Sequence, residues 1–306
     1  MKTQFSKWKV SYMLILLAGI AIAISCKKNN NSNEGQNQDQ TQLTKDEEMA
    51  ILKAGFSPDD AFRKDGGYMV EGDIFLDANN LATQQKIVED LKQNKPTTEQ
   101  YRSTNIVAVG VSKELKIKVD AGTSEKVFRD ATSEAIKRYN DLNLKLTFKL
   151  LDANAVETAD IVINGADLGK TPDGKKTILG QSAGFPANGN PASPIKLSTV
   201  VYGPNYNNNN LLASVIAHEI GHAIGFRHTD YADRNYSCDI KTYNSFFGKY
   251  SKQNEGQGTG GAIHIPGTPQ AENGDPNSWM LACIEGDNRP FTANDKVAIK
   301  ALYPVK

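Results

Sequence analysis

The stretch that decides the fold is LLASVIAHEIGHAIGFRHTD, residues 211–230. Leu211, Leu212, Val215, Ile216 and Ile220 recur at helical spacing, so the stretch is expected to form a helix with a buried face. Residues four apart on a helix lie one above the other, so His218 and His222 can aim two imidazoles at one point. Glu219 stands beside the first of them. Gly225 is where the helix can stop, because glycine adopts the left-handed conformation that ends helices, and His228 can then swing back as a third nitrogen. Three protein nitrogens leave one position of a tetrahedral zinc open, as in a catalytic site rather than a structural one. Water in such a position becomes acidic, and a neighbouring carboxylate can take its proton, which makes Glu219 the candidate general base. The plain alternative is a buried helix with hydrogen-bonded histidines. Against it, the chain has only four His, and three of them stand in this pattern.

The run HEIGHAIGFRH, residues 218–228, resembles the metzincin signature H-E-x-x-H-x-x-G-x-x-H. Its HEIGH wording is similar to the M57-type bacterial metallopeptidases. The resemblance implies zinc-dependent peptide hydrolysis, whereas the spacing alone gives a metal site with a base. It also implies an α+β fold: a metzincin-like catalytic domain with a twisted mixed sheet, a long helix, the zinc helix and an irregular C-terminal part ending in a helix. A Met-containing turn should lie under the site, and Met280 in Asn277-Ser278-Trp279-Met280-Leu281 is placed for it. The Tyr that some metzincins carry two residues after this Met is Ala282 here.

The 306-residue chain has formal charge zero, so no basic field recruits nucleic acid. Lys2, Lys7 and Lys9 precede an apolar run from Tyr12 to Ile24, too short for a membrane span and suited to a signal-peptide core. The run ends Ala23-Ile24-Ser25-Cys26, which resembles a bacterial lipoprotein processing site, although Leu is usual where Ala23 stands. The expectation is residues 1–26 as a lipoprotein-type signal with Cys26 as the lipidated residue, and therefore an extracytoplasmic protein held to a membrane. A plain secretory signal or an uncleaved anchor is the alternative. Cys238 and Cys283 can pair outside the cytoplasm, or can remain two separate buried thiols.

Residues 27–42, KKNNNSNEGQNQDQTQ, lack apolar side chains and read as a flexible tether. Residues 43–100 read as an accessory or pro-like segment, with helices over Leu43–Ala54 and Leu81–Gln93 and one strand over Tyr68–Leu76. Pro-segments of some metzincins place an acid on the open zinc position, and Asp73 could do so. The simpler reading, adopted as the expectation, is a carboxylate at a turn or strand end. The catalytic domain is expected over residues 101–306. Strands are predicted at Ile106–Val111, Leu115–Val119, Leu144–Leu150, Ala159–Ile163 and Ile195–Ser198, and a long helix at Thr123–Leu142 with Thr123 near its cap. By the resemblance, Ile178–Ala183 is an edge strand to which an extended substrate adds itself. Any of Asn207–Asn210 can cap the zinc helix, and Asp230 could accept a hydrogen bond from a ligand histidine. Residues 231–277 are polar loop. His264 there is expected on the surface or packed, with a substrate contact left open. Thr292 and Asp295 form the capping box of a last helix through Ala301.

The expected protein is thus a monomeric, anchored zinc endopeptidase acting on peptide or protein substrates. His218, His222 and His228 would be its metal ligands and Glu219 its base. Two rivals remain at this point: a zinc hydrolase of a non-peptide amide, and a non-catalytic surface binding protein on the same scaffold.

Overall fold

A computed structural model describes residues 42–91, 101–172, 174, 176–232, 234–238, 243–245, 248–250, 261–268, 275–284, 286 and 288–306. The chain divides at residue 40 into two units, and the second holds every described residue. Its elements in order are α1 (Lys45–Lys53), β1 (Phe62–Lys64), β2 (Gly67–Val70), β3 (Ile74–Leu76), α2 (Ala78–Leu91), β4 (Lys113–Asp120), α3 (Glu125–Asn140), β5 (Leu146–Leu150), β6 (Ile161–Ala166), β7 (Gly180–Ser182), β8 (Ile195–Ser198), α4 (Asn209–Ile224), α5 (Asn235–Cys238), β9 (Tyr243–Ser245), β10 (Gly248–Tyr250) and α6 (Ala293–Leu302). This is the α+β fold the sequence predicts.

Eight strands form one mixed sheet in the order β1-β2-β3-β7-β8-β6-β4-β5. The pairs β8–β6, β6–β4 and β4–β5 are parallel, and β7 runs antiparallel to β8. The inward residues alternate along the strands: Leu115, Ile117 and Val119 on β4, Ile161 and Ile163 on β6, Ile195 and Leu197 on β8. Against them pack Phe128, Ala131, Ala135 and Tyr139 of α3 and Leu212, Ile216 and Ile220 of α4. From Leu212 to Ile224 every residue of α4 is buried, as expected of a helix in the middle of a core. Tyr139 O–H donates to the Ala217 carbonyl at 2.7 Å, which ties the two helices together under the functional residues.

Local signals behave as their chemistry requires. The Asn208 side chain accepts from Leu211 N–H at 3.1 Å and caps α4. Gly225 ends it at φ 115°. Thr292 and Asp295 form the predicted capping box, and Asp295 also accepts from Ser278 Oγ and Trp279 N–H, so the last helix grips the turn containing Met280. Thr44 and Glu47 make a second capping box on α1.

Four expectations are corrected. Ile106–Val111 is not a strand, because its backbone bonds elsewhere: Val107 N–H donates to Tyr303 Oη and Ala108 N–H to Gly189 O. Tyr68–Leu76 is not one strand but the hairpin β2–β3, broken at Glu71-Gly72, both at positive φ (53° and 95°). The helix predicted from Thr123 starts at Glu125 after a 3₁₀ turn over Gly122–Ser124, with no side-chain cap. Finally, β7 is not an edge. It pairs with β8 on one side and, in parallel, with β3 on the other (Ile74 beside Ser182). Residues 62–76 therefore extend the sheet on the side where a substrate strand was expected.

Candidate metal centre

His218 and His222 lie one turn apart on α4, and the chain leaving Gly225 returns His228 to the same point. The His222 Nε2 atom is 3.1 Å from His218 Nε2 and 3.2 Å from His228 Nε2. Two of the rings are held by their other nitrogen: His218 Nδ1–H donates to Trp279 O and His222 Nδ1–H to Phe226 O, each at 2.8 Å. These bonds fix the tautomer and leave Nε2 bare and pointing inward. Bare nitrogen lone pairs crowded at such distances repel one another unless a cation lies between them. The spacing is close to about 3.3 Å, the separation of two ligand atoms each about 2.0–2.1 Å from a tetrahedral zinc.

A fourth donor completes the cluster. Asp73 Oδ2 lies 3.0 Å from His218 Nε2 and 3.2 Å from His228 Nε2, with Oδ1 3.6 Å from His222 Nε2. One ligand atom from each of Asp73, His218, His222 and His228 falls within 4.8 Å of all the others. This corrects two expectations: Asp73 is not a bystander at a strand end, and the fourth position is not left open to water in this conformation. The tip of the β2–β3 hairpin carries the carboxylate there. Burial pushes the Asp73 carboxyl up, yet the surrounding imidazoles of His228, His222 and His218 bring it well below the usual carboxylate range. Three imidazole nitrogens and a carboxylate oxygen are a donor set that suits zinc.

Glu219 is 2% exposed, and its Oε2 has no hydrogen-bond partner. Burial first, then the charge of Asp73, pushes its carboxyl well above the ordinary value. The carboxylate fits because β7 presents Gly180 to it: a Cβ at that position would stand 2.9 Å from Glu219 Cδ and still closer to Oε1. Gly221 serves the other side of the helix. A Cβ there would overlap Met280 Sδ and lie 3.2 Å from Trp279 Nε1. The glycine between His218 and His222 thus lets the Met280 turn close up beneath them.

The loops below are stapled. Cys238 and Cys283 form a disulfide with Cα atoms 5.1 Å apart. Asp230 accepts from Ala282 N–H at 2.9 Å and from Ser237 Oγ–H at 2.6 Å. His264 is packed, with Nε2 3.1 Å from both Thr268 O and Thr268 Oγ1, and it is outside the cluster. Cys26 lies outside the described residues. The sequence brought together His218, His222, His228 and Glu219, and the structure places all four here. It did not identify Gly180, or the Trp279 and Phe226 carbonyls, because backbone acceptors leave no residue-type signature. Gly180 and Gly221 could have been suspected from their place in a strand and in a helix, where a glycine is the signal of a close approach.

Comparison with curated proteins finds no match. Among solved structures, two of myroilysin are similar at 17% and 16% identity, covering 66% and 68% of this chain and 100% of theirs, with TM-scores of 0.39 and 0.37. A third is high choriolytic enzyme 1, a hatching-enzyme zinc protease from the medaka fish Oryzias latipes, at 15% identity, 65% of this chain, 94% of that one and TM-score 0.34. The model of the family Peptidase_M57, described as dual-action HEIGH metallo-peptidase, matches residues 70–303. That span holds most of the chain, from the hairpin tip through the histidine cluster to the last helix, and the chain belongs to this family of zinc metallopeptidases.

Proposed function

We propose that His218, His222 and His228 hold the zinc through Nε2, that Glu219 is the general base, and that the conformation with Asp73 on the histidines is a closed form. The observation that carries this reading is the convergence of three inward Nε2 atoms on one point, with an unpartnered buried carboxylate on the adjacent helix position. When bound, zinc supplies Lewis acidity, which acidifies water and polarises a carbonyl. Glu219 then takes the proton from the attacking water and delivers it to the departing amine. Gly180 on β7 leaves the room in which the carboxylate makes both transfers. The Trp279 and Phe226 carbonyls keep the imidazoles in register throughout. Asp73 has to withdraw before a substrate can enter, and with it the β3 strand that covers β7.

Membership of a peptidase family sets aside the non-catalytic rival and gives the substrate as peptide or protein. We further propose that the chain is processed before Cys26, lipidated there and held outside the cytoplasm, a reading supported by the signal-like run ahead of it. A mass spectrum of the mature protein checks this. Among the described residues no helix is long and apolar enough to cross a membrane.

The test of the chemistry uses the zinc-loaded full chain. Asp73→Ala should raise casein cleavage about tenfold or more, as a charge-assisted contact to the cluster is lost. Glu219→Gln in that background should lower it by roughly 10²–10⁴. Metal analysis should find zinc in both. Cleavage that survives Glu219→Gln removes Glu219 from the role, and zinc lost with Asp73→Ala makes Asp73 a permanent ligand.

A further inference from the structure

The hairpin tip carries a second carboxylate, and its partner has no place in the chemistry above. Arg227, between Phe226 and the ligand His228, is a buried guanidinium: its side chain is 2% exposed, and that of the acid it meets, Glu71, 0%. Arg227 Nη2 donates to Glu71 Oε1, and Nη1 donates to Gly55 O at 3.0 Å. The guanidinium lies 5.5 Å from the Phe56 ring and 5.3 Å from the Phe185 ring. Glu71, Gly55 and Phe56 all belong to the segment ahead of residue 92. Phe185 belongs to the catalytic part and meets the His222 ring edge-on at 5.9 Å. Arg227 therefore stands in the wall of the cleft, one aromatic ring away from a metal-binding histidine.

Glu71 is kept in this pocket against its backbone preference. It sits at φ 53°, a region that L side chains other than Asn and Asp seldom adopt. A glycine would fit there with less strain, so the side chain is what the position needs. The pattern repeats nearby: Arg234, 1% exposed, donates through Nη2 to Asp60 Oδ1 at 2.7 Å. The catalytic part thus turns histidines and two arginines toward this segment, and the segment answers with Asp73, Glu71 and Asp60.

Resting on the reading that the hairpin withdraws in the active enzyme, we propose that Arg227 is a specificity-determining residue: its guanidinium, backed by Phe185, is the subsite for an acidic side chain of the peptide substrate, and Glu71 fills that subsite in the closed form. Backed by Phe185 and covered by the bound peptide, the guanidinium gains from a carboxylate partner, and its planar fork matches two carboxylate oxygens. Once Glu71 leaves, a Glu or Asp of the substrate is the ligand that restores the pair.

The test uses the zinc-loaded full chain carrying Glu71→Ala with Asp73→Ala, which removes both carboxylates of the plug. Paired peptides differ only by Glu against Gln, or Asp against Asn, at each position around the scissile bond. At one position the acidic member should show kcat/KM about tenfold or more above its neutral partner, the ratio expected from one charge-assisted hydrogen bond. Added Arg227→Gln should bring that ratio near one, while Arg227→Lys, which keeps the charge without the fork, should retain part of it. Equal ratios with and without Arg227, or no acidic preference at any position, overturn the subsite and leave the peptidase reading standing. Calorimetry of the same peptides separates the two further. Arg227-dependent binding of the acidic peptide with no cleavage of any peptide supports the subsite and overturns the peptidase reading. Absence of both overturns both.

Discussion

For each histidine, the partner of one ring nitrogen decides what the other nitrogen can do. In His218 and His222 a backbone carbonyl takes Nδ1–H, and Nε2 is delivered to the cluster. In His264 it is Nε2 that meets Thr268, and the ring is spent on packing. That difference has a pH signature. Burial holds His264 down at about 4. An unfolded His titrates near about 6.5, so between these values the unfolded chain binds the proton and the folded one does not. Stability is therefore full above about 6.5 and falls as the pH drops toward 4, by on the order of 1–3 kcal/mol from this group. Denaturant melts at pH 7 and pH 4.5 should show His264→Gln losing less than the parent on acidification; an equal loss would remove His264 as the source. The convergence of His218, His222 and His228 was legible in the sequence because a helix turns a spacing of four into a shared face and Gly225 lets the chain turn back. Asp73 was raised there only by the resemblance and set second to a plain turn carboxylate, because it meets His218 across 145 residues through a hairpin whose existence depends on the Glu71-Gly72 turn.

At the level of elements, α4 is positioned from two sides by missing side chains. Gly180 of β7 admits the Glu219 carboxylate, and Gly221 of α4 admits Met280 and Trp279. Alanine normally favours a helix over glycine by up to about 1 kcal/mol. Gly221→Ala should reverse that sign, destabilising the protein by about 1–3 kcal/mol through overpacking against the turn. A urea melt checks it, and a variant at least as stable as the parent would refute the close packing. The alternating strands β4, β5, β6 and β8 and the helices α1, α2, α3, α4 and α6 were readable from periodicity and caps, whereas α5, β9 and β10 fall in the stretch 231–277 read as polar loop. The role of β7 was not readable, because a three-residue strand reveals nothing of which neighbours it has. Ile106–Val111 misled for the opposite reason: Ile106, Val107 and Val109 serve the core from an irregular segment.

Across the whole molecule, the disulfide joins the segment following His228 to the one following Met280, closing 45 residues of mostly polar chain. Cys283→Ser should lower the unfolding free energy by about 2–4 kcal/mol, chiefly by releasing the unfolded chain. The midpoint shift in denaturant measures it. No shift under non-reducing conditions would mean that the bridge constrains nothing. Ionic contacts join the segment ahead of residue 92 to the site at Asp60–Arg234, Glu71–Arg227 and Asp73 with the histidines. The pairing of β3 with β7 has one more effect. A bare strand margin invites a like margin on a neighbouring copy, and such stitching is how sheet proteins clump. While the hairpin is seated, the β7 backbone groups on that side are taken by β3 and are out of reach of sister molecules. The outer margin then passes to β1, only three residues long, which leaves a sister molecule little to stitch onto.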